Sequence, residues 1–173
     1  MNPTLETIKT RRSIRKYKPD MLPRETIDAI IEAGLYAPSG MNTQNTVILA
    51  ITDKATRDRL ARANAAVMGA DRDPFYGAPV VLVVLAERGR MTHVHDGALV
   101  MGNLMLAAHA LGVGSCWIHR AAETFDQPEW REFLKSLGLE GDYEGIGNCI
   151  LGYTDGEEPA APARREGRVF YAD

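Results

Sequence analysis

Cysteine is scarce in this chain of 173 residues: Cys116 and Cys149 stand alone, with neither CxxC nor CxxxxC spacing. That excludes a disulfide framework and a zinc finger. Aromatic residues make up only 7%, and the net charge is −3, from 20 basic and 23 acidic side chains. A nucleic-acid binder that works through overall positive charge is excluded with them. No apolar run reaches the roughly 20 residues that a membrane-spanning helix needs. The amino terminus, Met1-Asn2-Pro3-Thr4, has no apolar leader, which predicts a cytoplasmic protein. Fixed-period repeats and low-complexity stretches are missing too. What is present, 45% hydrophobic and 25% charged residues, suits a single soluble domain over residues 1–173.

Helical and extended patterns alternate. Pro3 suits the first turn of a short helix carrying Leu5 and Ile8, and Pro23 opens another in which Ile27, Ile30, Ile31 and Leu35 share a face. Val47 to Ile51 reads as a strand, and Asp53 caps a helix over about Lys54 to Ala66. Val80 to Leu85 is an unbroken aliphatic run, the pattern of a strand buried on both faces. From Asp96 to Leu111 the pattern predicts a helix apolar nearly all round, fit for a core or a subunit interface. Ser115 to Ile118 is the next strand. Asp126 and Pro128 predict the start of a helix holding Trp130, Phe133, Leu134 and Leu137, and Ile146 to Tyr153 a final strand. Past Gly156 the chain is polar and rich in proline and alanine; a core has no use for such an arm (about residues 157–173), so it is expected across a surface or a partner.

Two local features point to chemistry. Residues 1–18 hold six basic side chains against one acid. Arg11, Arg12 and Arg15 with Ser13 among them suit a phosphate through guanidinium forks and a hydroxyl donor; the same cluster also reads as a solvated basic face. A second pair, Arg164-Arg165, lies near the other end. The turn Ala37-Pro38-Ser39-Gly40-Met41-Asn42-Thr43-Gln44 carries amides that can read the edge of a polar heterocycle, or can simply build the turn. Other motifs fail. Gly112-Val113-Gly114 follows a helix, and the third glycine position of GxGxxG is filled by Trp117, so it is no dinucleotide fingerprint. His93-Val94-His95-Asp96 offers three ligand types in four residues, but neighbours in sequence rarely converge on one ion, and no metal is expected. Cys116, in a strand, reads as a small core residue, although a nucleophilic pairing with a histidine stays open.

In order and spacing these segments resemble the nitroreductase family of flavoproteins, specifically its short members. The likeness rests on Arg11 to Tyr17, Ala37 to Gln44, Asp96-Gly97-Ala98, Asn103 to Ile118, Gly147 to Tyr153 and the basic arm, and covers nearly the whole chain. It implies an α+β sandwich, a mostly antiparallel central sheet flanked by helices, in an intertwined homodimer with two FMN molecules at the interface. Arg11, Arg12, Ser13 and Arg15 would hold the phosphate and, through the last of them, the pyrimidine edge of the flavin. Pro38, Ser39, Asn42 and Gln44 would come from the other subunit. Asn64 would lie near the ring, Cys116, Trp117 and Ile118 would pass its other side, and Arg164 and Arg165 would close on the phosphate.

The implied reaction takes hydride from NADH or NADPH to flavin N5, then to a small acceptor such as a nitroaromatic or quinone in the same place. Ping-pong kinetics follow, with no protein acid or nucleophile. A flavin carrier, a redox sensor and a dehalogenase-like enzyme are alternatives on the same fold. Neither nucleic acid nor membrane is expected as a partner. Asn45 and Thr46 stand where many relatives have proline and an aromatic, and the chain lacks the inserted helices of larger members. Both bear on the substrate pocket.

Overall fold

In the computed structural model, which describes residues 2–172, helices α1 (Pro3–Thr10) and α2 (Arg24–Leu35) precede strand β1 (Thr46–Ile51). Helix α3 (Lys54–Met68), strand β2 (Val80–Glu87) and helix α4 (His93–Ala110) follow, then β3 (Gly114–Ile118), α5 (Ala121–Phe125), α6 (Pro128–Ser136) and β4 (Tyr143–Gly152). The four strands form one sheet in the order β1-β2-β4-β3, every neighbouring pair antiparallel. The fold is therefore α+β, as expected.

The unbroken aliphatic run does become the central strand with both faces covered. Val81, Val83 and Leu85 pack with Leu60 of α3, Phe75, Phe125 and Trp130, while Val80, Leu82 and Val84 pack with Ile27 and Ile30 of α2 and Val100, Met101 and Leu104 of α4. Each such side chain contributes about 1.5–3 kcal/mol by leaving water. Cys116 belongs to the first layer and Cys149 to the second, so the two free thiols project from opposite faces of the sheet. Among the described residues no helix is long and apolar enough to cross a membrane.

Four boundaries depart from expectation. Helix α4 starts at His93 rather than Asp96, and α3 runs on to Met68, where Gly69 (φ +64°) stops it in the left-handed conformation that glycine adopts without strain. Strand β4 starts at Tyr143, not Ile146, because Val84 pairs with Gly147 and Leu85 with Gly145; Ile146 is the extra residue of a β-bulge. Asp126 does not cap α6. Gln127 occupies that position, and Asp126 instead ends the unexpected helix α5 and accepts hydrogen bonds from Arg88 (2.6 Å) and Arg131 (2.9 Å).

Asp53, by contrast, caps α3 as expected: its carboxylate accepts from the Thr56 amide and hydroxyl, both at 2.8 Å. These bonds hold its carboxyl below the usual carboxylate range. A group depressed on folding stabilises the protein above its unfolded value, ~3.9 for aspartate, and the gain is lost as pH falls through the folded value. Asp53→Ala should lower the thermal midpoint at neutral pH, and the gap from the native protein should close as the pH is taken below about 3.9. A gap that stays constant down to acid would show that the ionised cap contributes nothing.

Candidate functional site

The segment after α1 is laid along the open edge of β3. Ser13 bridges Ser115 in parallel, the Ile14 amide donates to the Ser115 carbonyl at 2.9 Å, and Ile14 and Tyr17 are buried. The Tyr17 hydroxyl donates to the Ile14 carbonyl at 2.8 Å, fixing the turn of chain between them. Arg11 is half-buried, and its Nη1 lies out of solvent with no hydrogen-bond partner among the described residues; the Ser115 hydroxyl beside the bridge is in the same state. Leaving a buried donor unpaired is costly, the more so when it is charged. Arg15 is exposed, and no ion pair of its own is formed among the described residues. Arg12 is turned the other way, its Nη1 donating to the carbonyls of Lys9 (2.9 Å) and Arg11 (2.7 Å) at the end of α1.

Arg15 opens onto a cavity of about 160 Å3. Cys116, Trp117, Ile118 and His119 form one side of it, and Met68, Ala70, Arg72, Pro74 and Tyr76 the other. The Trp117 indole lies against Gly147, where any Cβ would collide with its Nε1, so only glycine leaves room for the ring. Burial pushes the Cys116 thiol up, and the nearby Arg15 and Ser13 offset this only partly; Cys149 is pushed up to about 12. The Cys116 thiol donates to the Trp117 carbonyl at 3.7 Å, and among the described residues neither cysteine makes a hydrogen bond to a histidine.

The opposite wall is built with care. Tyr76 holds a left-handed backbone (φ +53°), unusual for a bulky side chain. Asp73 secures this turn, accepting from the amides of Phe75 and Gly77, both at 2.9 Å, and from Arg57 at 2.6 Å. Arg57 is 7% exposed and donates also to Asp58 and to the Ala78 carbonyl. No pattern in the sequence announced Tyr76 or its clamp.

Pro38, Ser39 and Gln44 line a different cavity, of about 130 Å3, together with Asp96 and Val100. Met41, Asn42 and Gln44 all have positive φ (53°, 54° and 47°), strain of the kind concentrated in binding loops. Asp96 anchors the loop: it accepts from the Gly40 amide at 2.9 Å and from the Thr92 hydroxyl at 2.8 Å. Gln44 donates its amide N–H to the Ser39 hydroxyl and its side chain to Asn42. Asn45, buried, has both side-chain amide atoms unpartnered among the described residues. Of the His93 to Asp96 cluster, His93 meets Glu144 at 3.0 Å while Asp96 faces the loop. Among the described residues no group of three or more such side chains could hold a metal ion.

Asn64 is fully buried; its amide donates to the Met68 sulfur at 3.3 Å, and its oxygen accepts from Asn148 at 3.1 Å. Met68 lines the cavity and Asn64 does not. Arg164 and Arg165 lie on the exposed arm, whose described side chains make one hydrogen bond, from Arg164 to the Pro162 carbonyl at 3.0 Å. The chain thus brings together Arg15, Cys116, Trp117 and Ile118, with Arg11 and Ser13 on the adjoining segment, while the 38–44 loop lines a separate cavity and the described part of the arm is exposed.

Residues 8–158 match the Nitroreductase family. A protein of Archaeoglobus fulgidus, provisionally named NADH dehydrogenase/NAD(P)H nitroreductase, is 31% identical over 162 residues, 91% of this chain and 89% of its own. A protein of Methanothermobacter thermautotrophicus with the same name is also 31% identical, over 65% of this chain, but the match spans only 59% of its length. Among solved structures, a nitroreductase with bound FMN from Bacteroides fragilis is 32% identical and superimposes over 100% of both chains with a TM-score of 0.91. An arginine whose buried Nη1 has no partner among the described residues, a cavity at Arg15 four residues on, and these matches over most of the chain lead to one conclusion: the chain belongs to the Nitroreductase family.

Proposed function

We propose that this protein is an FMN-dependent NAD(P)H oxidoreductase that acts as a homodimer on small conjugated acceptors such as nitroaromatics or quinones. The observation that carries the reading is the buried Nη1 of Arg11, a cationic donor with no partner among the described residues, on the same segment as Arg15, which opens onto a cavity lined by Trp117 and Tyr76. That donor set fits a phosphate monoester attached to a flat ring system. Arg11 and Ser13 would take the phosphate, with Arg164 and Arg165 closing over it. Arg15, exposed at the mouth, would stabilise negative charge on the polar edge of the ring. FMN, when bound there, supplies the capacity to accept hydride from a nicotinamide and return it to an acceptor. With a single cavity for both partners, donor and acceptor would enter in turn, which gives ping-pong kinetics.

A second copy of the chain supplies what one protomer lacks. Leu5, Ile8, Leu99 and Leu111 are about half exposed, and Met41 is 98% exposed, an apolar surface more in keeping with an interface than with solvent. The 38–44 loop would approach the cavity of the second copy, and the arm of residues 157–173 would lie across it. The test is the visible spectrum of the purified protein. The flavin band should be present and should bleach on anaerobic addition of NADH or NADPH, then return with a quinone or nitroaromatic. A yellow protein that neither nicotinamide bleaches would favour a flavin carrier or sensor instead.

A further inference from the structure

The largest cavity described, about 390 Å3, lies beside the one just discussed, and Ala70 and Arg72 line both. Its walls come from α3 and from the 69–73 segment. Three arginines face it, Arg57, Arg62 and Arg72, and three carboxylates, Asp58, Asp71 and Asp73. Their charges do not simply cancel. Arg57 spends its guanidinium on Asp58 and Asp73, and Lys54 also pairs with Asp58. Arg62 and Arg72 have no ion pair or hydrogen bond among the described residues, and Asp71 alone of the carboxylates is without a cationic partner. Two free guanidiniums against one free carboxylate remain around the cleft.

The segment that carries Arg72 is also held still. Gly69 and Ala70 close α3 by donating their amide N–H groups to the carbonyls of Ala66 and Ala65, and Asp73, the next residue after Arg72, is clamped by Arg57 and two backbone amides. A guanidinium on a fixed backbone loses less freedom on meeting an anion than one on a loose loop.

We infer that this cleft receives the adenylate half of the nicotinamide dinucleotide, with Arg62 and Arg72 on its phosphates while the nicotinamide occupies the neighbouring cavity. The inference rests on the proposed NAD(P)H-dependent activity and adds to it a binding site outside the cavity. A dinucleotide has the required shape: a redox ring at one end and, through a pyrophosphate, an anionic nucleotide at the other. Arg72, on the ridge between the cavities, would meet the pyrophosphate, and Arg62, on α3, the outer nucleotide. Asp71 would face the ribose, where a carboxylate accepts from hydroxyls and repels a 2′-phosphate.

The test compares two hydride donors in the flavin-loaded enzyme: NADH, and 1-benzyl-1,4-dihydronicotinamide, which has the ring and no phosphate. Arg62→Ala alters an exposed side chain outside the flavin cavity and should leave flavin content unchanged; Arg72 also lines that cavity, so Arg72→Ala is assayed with flavin saturated and read through the comparison of the two donors. Each should raise the KM for NADH about tenfold with kcat preserved, leave the benzyl donor untouched, and weaken binding of ADP measured by calorimetry. Arg72→Lys should recover part of the affinity. Asp71→Asn should improve NADPH relative to NADH. An unchanged KM for NADH in both variants, or an equal rise for both donors, would overturn the adenylate site. Native enzyme that oxidises the benzyl donor but not NADH would overturn it as well. If native, flavin-loaded protein oxidises neither donor, it is the underlying activity that fails.

Discussion

Arg11→Ala should purify colourless and folded. Losing one desolvated, charge-assisted contact costs about 1.5–3 kcal/mol, roughly ten- to a hundredfold in FMN affinity. The fold should survive because the Arg11 Nη1 makes no hydrogen bond among the described residues; its removal takes away an unpaired buried donor. Circular dichroism and the thermal midpoint of the flavin-free forms should match those of the native chain. The ratio of visible to protein absorbance, followed by FMN titration, measures the loss. Arg12→Ala is the control: its guanidinium holds the carbonyls of Lys9 and Arg11, so its loss should loosen the end of α1 and leave the flavin in place. A yellow, fully loaded Arg11→Ala protein would remove Arg11 from the phosphate site.

The largest effect on stability is expected from Arg57→Ala. This side chain donates to the Ala78 carbonyl at 2.9 Å, to Asp58 at 3.1 Å and to Asp73 at 2.6 Å, and lies 5.4 Å over the Phe75 ring. Its carboxylate partners are about a third exposed, so the main loss is the donor to the buried Ala78 carbonyl, at about 1–3 kcal/mol, a sizeable part of the roughly 5–15 kcal/mol that separates folded from unfolded protein. Urea unfolding reads the loss directly. The 69–77 segment should loosen with it, since Asp73 would keep only its two amide donors, so proteolysis should begin there. Arg57→Lys keeps the charge but not the planar fork and should fall between. A cost under about 1 kcal/mol, the value of an exposed ion pair, would mean that the clamp holds little.

How far the site could be read from sequence depended on what each residue's neighbours reveal. The buried strand β2 and the helix cap at Asp53 follow from periodicity and side-chain chemistry, which act locally. Arg11 and Arg12 are identical in sequence terms. Only the path of the chain off α1 and onto the edge of β3 sends one to a buried place without partners and the other back to helix carbonyls. Helix α5 was missed because it is five residues long and is entered through Arg120 at positive φ (+77°), a turn usually given to glycine. Asp126 has the chemistry of a cap, yet Arg88, distant in sequence, and Arg131, five residues on, claim it. Asp96 looked like part of a ligand cluster, and its partner proved to be Gly40, brought near only by the packed fold. Tyr76 and Asn148 matter through contacts that no local pattern encodes.

Native mass spectrometry of the freshly purified protein bears most directly on the central claim, that a flavin site is completed between two copies of this chain. The expected species has the mass of two chains with two FMN molecules, and Arg11→Ala should give two chains with none. A single chain that keeps one FMN, or a native dimer that never carries it, would contradict the claim.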